Sequence, residues 1–166
     1  MYKEFGSVAE LNGLAESLRK AGKEKEIMDL AIQQGIDEDE AQDYIDGIVD
    51  LFATKNMACF GKLRMKEQEL KLEGIFRDWV DEIRRTVLQD QDLAERIYTK
   101  SLEGCLAEIL TESSKMKTKV PSEIAELATI KINGTEWRMK RPAYINRPSA
   151  AQIRMLIQKY YRRKDG

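Results

Sequence analysis

A chain of 166 residues and 19.1 kDa with 42 % hydrophobic and 34 % charged residues has the size of one domain and enough apolar side chains for a core. Its 3 prolines exclude a collagen-like or disordered composition, and the complete lack of histidine excludes imidazole bases, His-containing zinc sites and the ordinary physiological pH switch. The net charge of −1 is unevenly spread: Lys131 to Gly166 holds ten basic residues against Glu136 and Asp165, whereas the preceding 130 residues hold 18 basic and 27 acidic ones, an asymmetry that points to charged partners.

Ser7 with Glu10 forms a capping-box pair ahead of Val8, Leu11, Leu14, Ala15 and Leu18 at helical spacing, and Gly22 stops that first helix. A second helix runs from about Lys23 to Gln34 with Ile27, Leu30 and Ala31 on one face, ended by Gly35 as a left-handed cap. Asp37 with Glu40 opens a third, whose apolar face is Ala41, Tyr44, Ile45, Ile48, Leu51 and Phe52. Met57, Leu63 and Leu70 predict a fourth helix, interrupted or ended near Gly61, and Gly74 marks the next break. Ile75, Phe76, Trp79, Val80, Ile83 and Val87 keep the 3.6-residue period of a fifth, with Trp79 read as core.

Past Asp90 to Asp92 come a short helix through Leu93 and Ile97 and another from Ser101 with Leu102, Cys105, Leu106, Ile109 and Leu110 inward. Pro121 precedes a short helix carrying Ile124, Ala125 and Ala128. Ile130 and Ile132, Asn133-Gly134, then Trp137 and Met139 alternate as a small β-hairpin does. Ser149 with Gln152 caps a last helix with Ile153, Leu156, Ile157 and Tyr160 inward. The reading is an all-α, mostly helical bundle with a small hairpin before the last helix. It is a single domain made of an N-terminal three-helix unit at about 5–52, a second helical layer at about 57–120, and a basic insert with the last helix at about 121–166. Cys59 and Cys105 sit in apolar stretches and read as buried, reduced packing residues. Met1 to Gly6 carries no apolar signal core, and no window approaches the roughly 18 apolar residues of a membrane span, so the chain reads as cytoplasmic.

Leu30-Ala31, Gly35-Ile36, Ala41 and Tyr44 have helix-turn-helix spacing, but the third helix, read to Asp50, holds Asp37, Glu38, Asp39, Glu40, Asp43, Asp46 and Asp50 and no Lys or Arg. Phosphates would repel it. Such a helix suits either solvent, with acids favoured in its first turn, or a cationic groove where it takes the place of phosphates. In the basic segment, Trp137 and Tyr144 lie among Arg138, Lys140, Arg141 and Arg147, with Arg162 and Arg163 near the end. Cations interleaved with rings fit single-stranded nucleic acid, an acidic protein, or the acidic part of the same chain, and the sequence leaves all three open. No nucleophile with a base and no glycine-rich phosphate loop is present, and the carboxylate pairs Asp90/Asp92 and Asp78/Glu82 read as solvated. The chain therefore reads as a non-enzyme with no cofactor and no metal site.

Taken in order, Phe5-Gly6-Ser7-Val8-Ala9-Glu10-Leu11, the Leu30-Ala31 to Gly35-Ile36 turn, Phe60-Gly61-Lys62-Leu63, Asp78-Trp79-Val80 with Ile83-Arg84, and Lys100-Ser101-Leu102 with Gly104-Cys105 form a set. This set resembles the PcfK-like proteins of conjugative elements and phages, a family that includes type II-A anti-CRISPR inhibitors of RNA-guided DNA nucleases. The resemblance spans about 5–110, with an echo at Ile153 to Tyr161. It implies inhibition of a type II CRISPR effector nuclease, with or without its guide RNA, by binding inside a bacterial host, and it supplies no catalytic residues. The alternative is a nucleic-acid-binding accessory protein of the mobile element. Where the family carries a short glycine-rich stretch before the last helix, this chain has Gly134 alone within a longer basic insert containing Trp137.

Overall fold

The computed structural model describes residues 1–164. Helices dominate: α1 (Val8–Lys20), α2 (Glu24–Gln34), α3 (Glu38–Ile45), α4 (Lys55–Glu69), α5 (Ile75–Gln89), α6 (Leu93–Thr99), α7 (Leu102–Ser113), α8 (Ser122–Leu127) and α9 (Ala150–Arg162). Two small antiparallel pairs complete it, β1 (Thr118–Lys119) with β4 (Tyr144–Ile145) and β2 (Thr129–Ile132) with β3 (Thr135–Arg138). The all-α reading holds, and the β2–β3 hairpin turns at Asn133-Gly134 as its sequence predicts, both residues at positive φ. The two-residue β1–β4 pair is too short to carry a sequence pattern.

The helices bury two apolar clusters that meet at α4. Val8, Leu11 and Ala15 of α1, Ile27, Leu30 and Ala31 of α2, Ala41 and Tyr44 of α3, and then Phe52, Ala53 and Ala58 form the first, joined by Tyr98. Cys59 and Leu63 of α4 face the other way, into a second cluster with Trp79, Ile83 and Val87 of α5, Ile97 of α6, Cys105 and Ile109 of α7, and Ile157 and Tyr161 of α9. Adjacent residues Ala58 and Cys59 thus serve different cores, as neighbours about 100° apart on a helix can. Both cysteines are free and buried, and burial pushes each thiol up to about 12. Val120, Ala125 and Ala143, with Met139 against them, make a third, much smaller cluster.

Three expectations fail for identifiable reasons. Gly61 does not break the fourth helix: α4 is continuous, and Gly61 is where its backbone touches the end of α2. A Cβ on Gly61 would sit 2.2 Å from the Gln34 carbonyl oxygen, and one on Gly35 would sit 2.5 Å from the Gly61 carbonyl oxygen. The third helix stops at Ile45, because Gly47 at φ +74 takes a left-handed turn and the Ile48 amide folds back onto the Asp43 carbonyl at 2.9 Å. Ile48 and Leu51, read as core, are therefore exposed, while Phe52 returns inward. Leu110, also read as inward, lies on the solvent-facing side of α7.

Candidate functional site

Of the acidic candidates, Glu38, Asp39, Glu40 and Asp43 lie on α3, while Asp37 caps its start and Asp46 its end, and all six are exposed. The helix stands on Ala41 and Tyr44, which point into the first core, so its remaining positions must face outward. The Asp37 side chain makes no capping bond and instead meets the Arg64 guanidinium at 3.1 Å. Asp46 accepts from the Gln42 amide at 2.9 Å. Among the described residues no Lys or Arg pairs with Glu38, Asp39, Glu40, Asp43 or Asp46.

The turn after α3 adds what sequence reading missed. Because α3 ends at Gly47, Ile48, Val49 and Leu51 are carried out of the core beside the carboxylates, Ile48 at 69 % and Leu51 at 57 % exposure. Between this ledge and the start of α4 lies a cleft of about 440 Å³ lined by Val49, Leu51 and Met57 together with Glu40, Asp43, Asp50 and Thr54. It falls within the roughly 300–1,000 Å³ range of ligand clefts and combines apolar with anionic side chains. The readable signal was Gly47, which punctuates an otherwise periodic apolar stretch.

The basic candidates are arranged differently. Arg162 binds Asp90 of the α5 C-terminus, Arg163 meets Glu108 of α7 at 2.5 Å, Arg141 binds Glu126 of α8, and Arg147 lies 3.9 Å from Asp78 of α5. From α9, Arg154 lies 3.4 Å from the buried Glu82 carboxylate, which Arg85 also meets at 3.1 Å. The two carboxylate pairs considered for a cation are thus partnered by arginines at Asp78, Glu82 and Asp90. Among the described residues no group of three metal-ligating side chains converges. Arg138 and Lys140 have no ion pair among the described residues, and Trp137 beside them is 58 % exposed on the hairpin. The sequence grouped these seven basic-face residues together; the fold spreads them between α9, the loop before it and the hairpin.

Among the described residues no helix is long and apolar enough to cross a membrane. No family model, curated protein or solved structure matches this chain.

Proposed function

We propose that this is a non-catalytic binding protein of a phage or conjugative element, an anti-CRISPR that sets its acidic α3 face against the cationic nucleic-acid channel of a type II RNA-guided DNA nuclease. The reading is supported by one contrast. The arginines of α9 and its approach are taken up by acids of the same chain, while five of the six α3 carboxylates are left without a cationic partner among the described residues. A guide–target heteroduplex is held in such effectors by its backbone charge, so a rigid row of carboxylates competes for the same cations. The ordered likeness to PcfK-like proteins supplies the target class, and the apolar ledge at Ile48 and Leu51 supplies the desolvated contact that charge alone lacks.

The test is plasmid cleavage by a panel of guide-loaded type II effectors titrated with the protein. Inhibition of at least one effector, weakened ten-fold or more by D39N/E40Q/D43N/D46N, is expected. Full cleavage by every effector at large excess overturns the reading. The exposed Trp137 with Arg138 and Lys140, which have no ion pair among the described residues, favours one other function, contact with single-stranded nucleic acid, which predicts a gel shift by the protein alone that weakens steeply with salt.

A further inference from the structure

We infer that Asn133 is a modification site, where attack of the Gly134 backbone nitrogen converts the side-chain amide to aspartate and isoaspartate, while the same dipeptide at Asn12-Gly13 is spared. Asn-Gly occurs at both places, and as sequence the two carry the same chemistry. Asparagine is a thermolabile side chain, and a following glycine leaves its nitrogen uncrowded by a Cβ. The fold separates the two. Asn12 lies within α1, where its side-chain amide donates to the Ala53 carbonyl at 2.9 Å and accepts from the Ala53 amide at 2.9 Å. The Gly13 N–H is held in the helix ladder. Asn133 and Gly134, by contrast, are both exposed and form the two-residue turn between β2 and β3 at φ +52 and +80. Neither the Asn133 side chain nor the Gly134 N–H has a hydrogen bond among the described residues. Open space does not distinguish the sites, since a Cβ on either glycine would meet nothing within 4 Å. Hydrogen bonding does.

The reaction needs only water. Hydroxide takes the Gly134 amide proton, the nitrogen attacks Cγ of Asn133, and the Cγ–Nδ2 bond breaks as Nδ2 takes up a proton from water and leaves as ammonia. Water then opens the resulting succinimide ring at either carbonyl. Opening at Cγ gives aspartate, and opening at the main-chain carbonyl gives isoaspartate, whose backbone runs through the former side chain. The two sites also differ in how readily they loosen to let the ring close. Every strand residue of the β2–β3 hairpin is exposed, and a two-stranded hairpin opens at little cost. Asn12 instead follows Leu11, which is buried in the first core with Ala15, so its ring closure waits on an opening of that core. Isoaspartate adds a backbone carbon to a turn built for two residues, which undoes the Ile130–Trp137 and Ile132–Thr135 pairing, and either product puts a carboxylate into the basic insert. The modification therefore dismantles the hairpin that presents Trp137 and leaves the α3 face as it was.

The test is peptide mapping by mass spectrometry of the purified chain incubated in alkaline buffer, with and without concentrated guanidinium chloride. In buffer the peptide holding Asn133 is expected to gain about 1 Da and to separate into aspartyl and isoaspartyl forms at least about ten-fold faster than the peptide holding Asn12. In guanidinium chloride the two are expected to react within about two-fold of each other, because only the fold distinguishes them. Asn133→Gln, which cannot close the five-membered ring, is expected to give no such product at that position. Chain enriched in the isoaspartyl form is expected to be cut by trypsin after Arg138 and Lys140 sooner than fresh chain. An Asn133 peptide that reacts no faster than the Asn12 peptide in buffer, a ten-fold difference that persists in guanidinium chloride, or isoaspartyl chain that is cut no sooner than fresh chain overturns the inference.

Discussion

Lys62 shows how one side chain can fix the joint between helices. It is 3 % exposed, and its ammonium donates to the carbonyls of Ile97, Tyr98 and Lys100 at 3.0, 2.9 and 2.5 Å, the end of α6. Three donors meet three acceptors at a helix C-terminus, where carbonyls lack intrahelical partners and a cation is favoured by the dipole. Burial pulls the group down to about 8, so it is still mainly protonated at pH 7. Replacing it by methionine keeps the stem and leaves three carbonyls in an apolar seam. Lys62→Met is therefore expected to lose about 2–4 kcal/mol, since each stranded acceptor costs about 1–3 kcal/mol and relief of the buried charge offsets part of the sum. In a thermal melt that is a drop of roughly 5–15 °C. A melting point within 2 °C of wild type would show that water reaches those carbonyls. Nothing in the pattern Phe60-Gly61-Lys62-Leu63 announces this role, because periodicity places residue 62 on a face without saying which backbone ends there.

Between elements, the same question of close approach decides how α2 and α4 pack. Gly35 needs its glycine twice over, for φ +65 and for the 2.5 Å gap to the Gly61 carbonyl, whereas Gly61 needs it only for the 2.2 Å gap to the Gln34 carbonyl. Both obstacles are backbone, which cannot swing aside. Gly35→Ala and Gly61→Ala are each expected to cost at least about 2 kcal/mol in urea unfolding through overpacking. Gly13→Ala, with nothing within 4 Å of the added methyl, is expected to gain about 0.5–1 kcal/mol from helix propensity. Equal effects at the three sites would remove the close-contact explanation. These glycines also mark the limit of what was legible in the sequence. The apolar periods of α1, α2, α5 and α9 lead to the observed cores, and the capping residues Ser7 and Ser149 accept from Glu10 and Gln152 amides at 3.0 and 3.2 Å. A glycine in a periodic stretch, however, reads the same whether it ends a helix, as Gly47 does, or lets two helices touch, as Gly61 does. The carboxylates of α3 could be read directly, but the ledge of Ile48 and Leu51 could not, because only the left-handed Gly47 turn puts them outside.

At the scale of the whole molecule, the two cores determine how stability responds to pH. With no histidine, no side chain has an ordinary pKa between 5 and 8, so stability is expected to be flat from about pH 6 to 8. Burial raises Cys59 and Cys105 from 9.0 to about 12 and Tyr98 from 10.0 to about 12, and it raises Tyr2 and Tyr161 further. In every one of these the folded state keeps a proton that the unfolded chain releases, so the stability they contribute is complete below pH 9 and is lost as pH climbs toward 12. Lys62 acts in the opposite sense, since its lowered value lets the folded state release a proton at about 8 while the unfolded chain holds it to 10.5. That single group gives a slight rise between pH 8 and 9. Beyond it, five protonated groups outweigh one, each contributing a slope of up to about 1.4 kcal/mol per pH unit. The melting temperature is therefore expected to stay level to pH 8, peak near 9 and fall steeply above 10. The thiols supply the earliest part of that fall, so Cys59→Ala/Cys105→Ala should make the limb between pH 9 and 10.5 shallower, whatever its effect at neutral pH. Calorimetry at half-unit steps reads the slope directly, and an unchanged alkaline limb in the double variant would mean that the two buried thiols are not what ties the cores to pH.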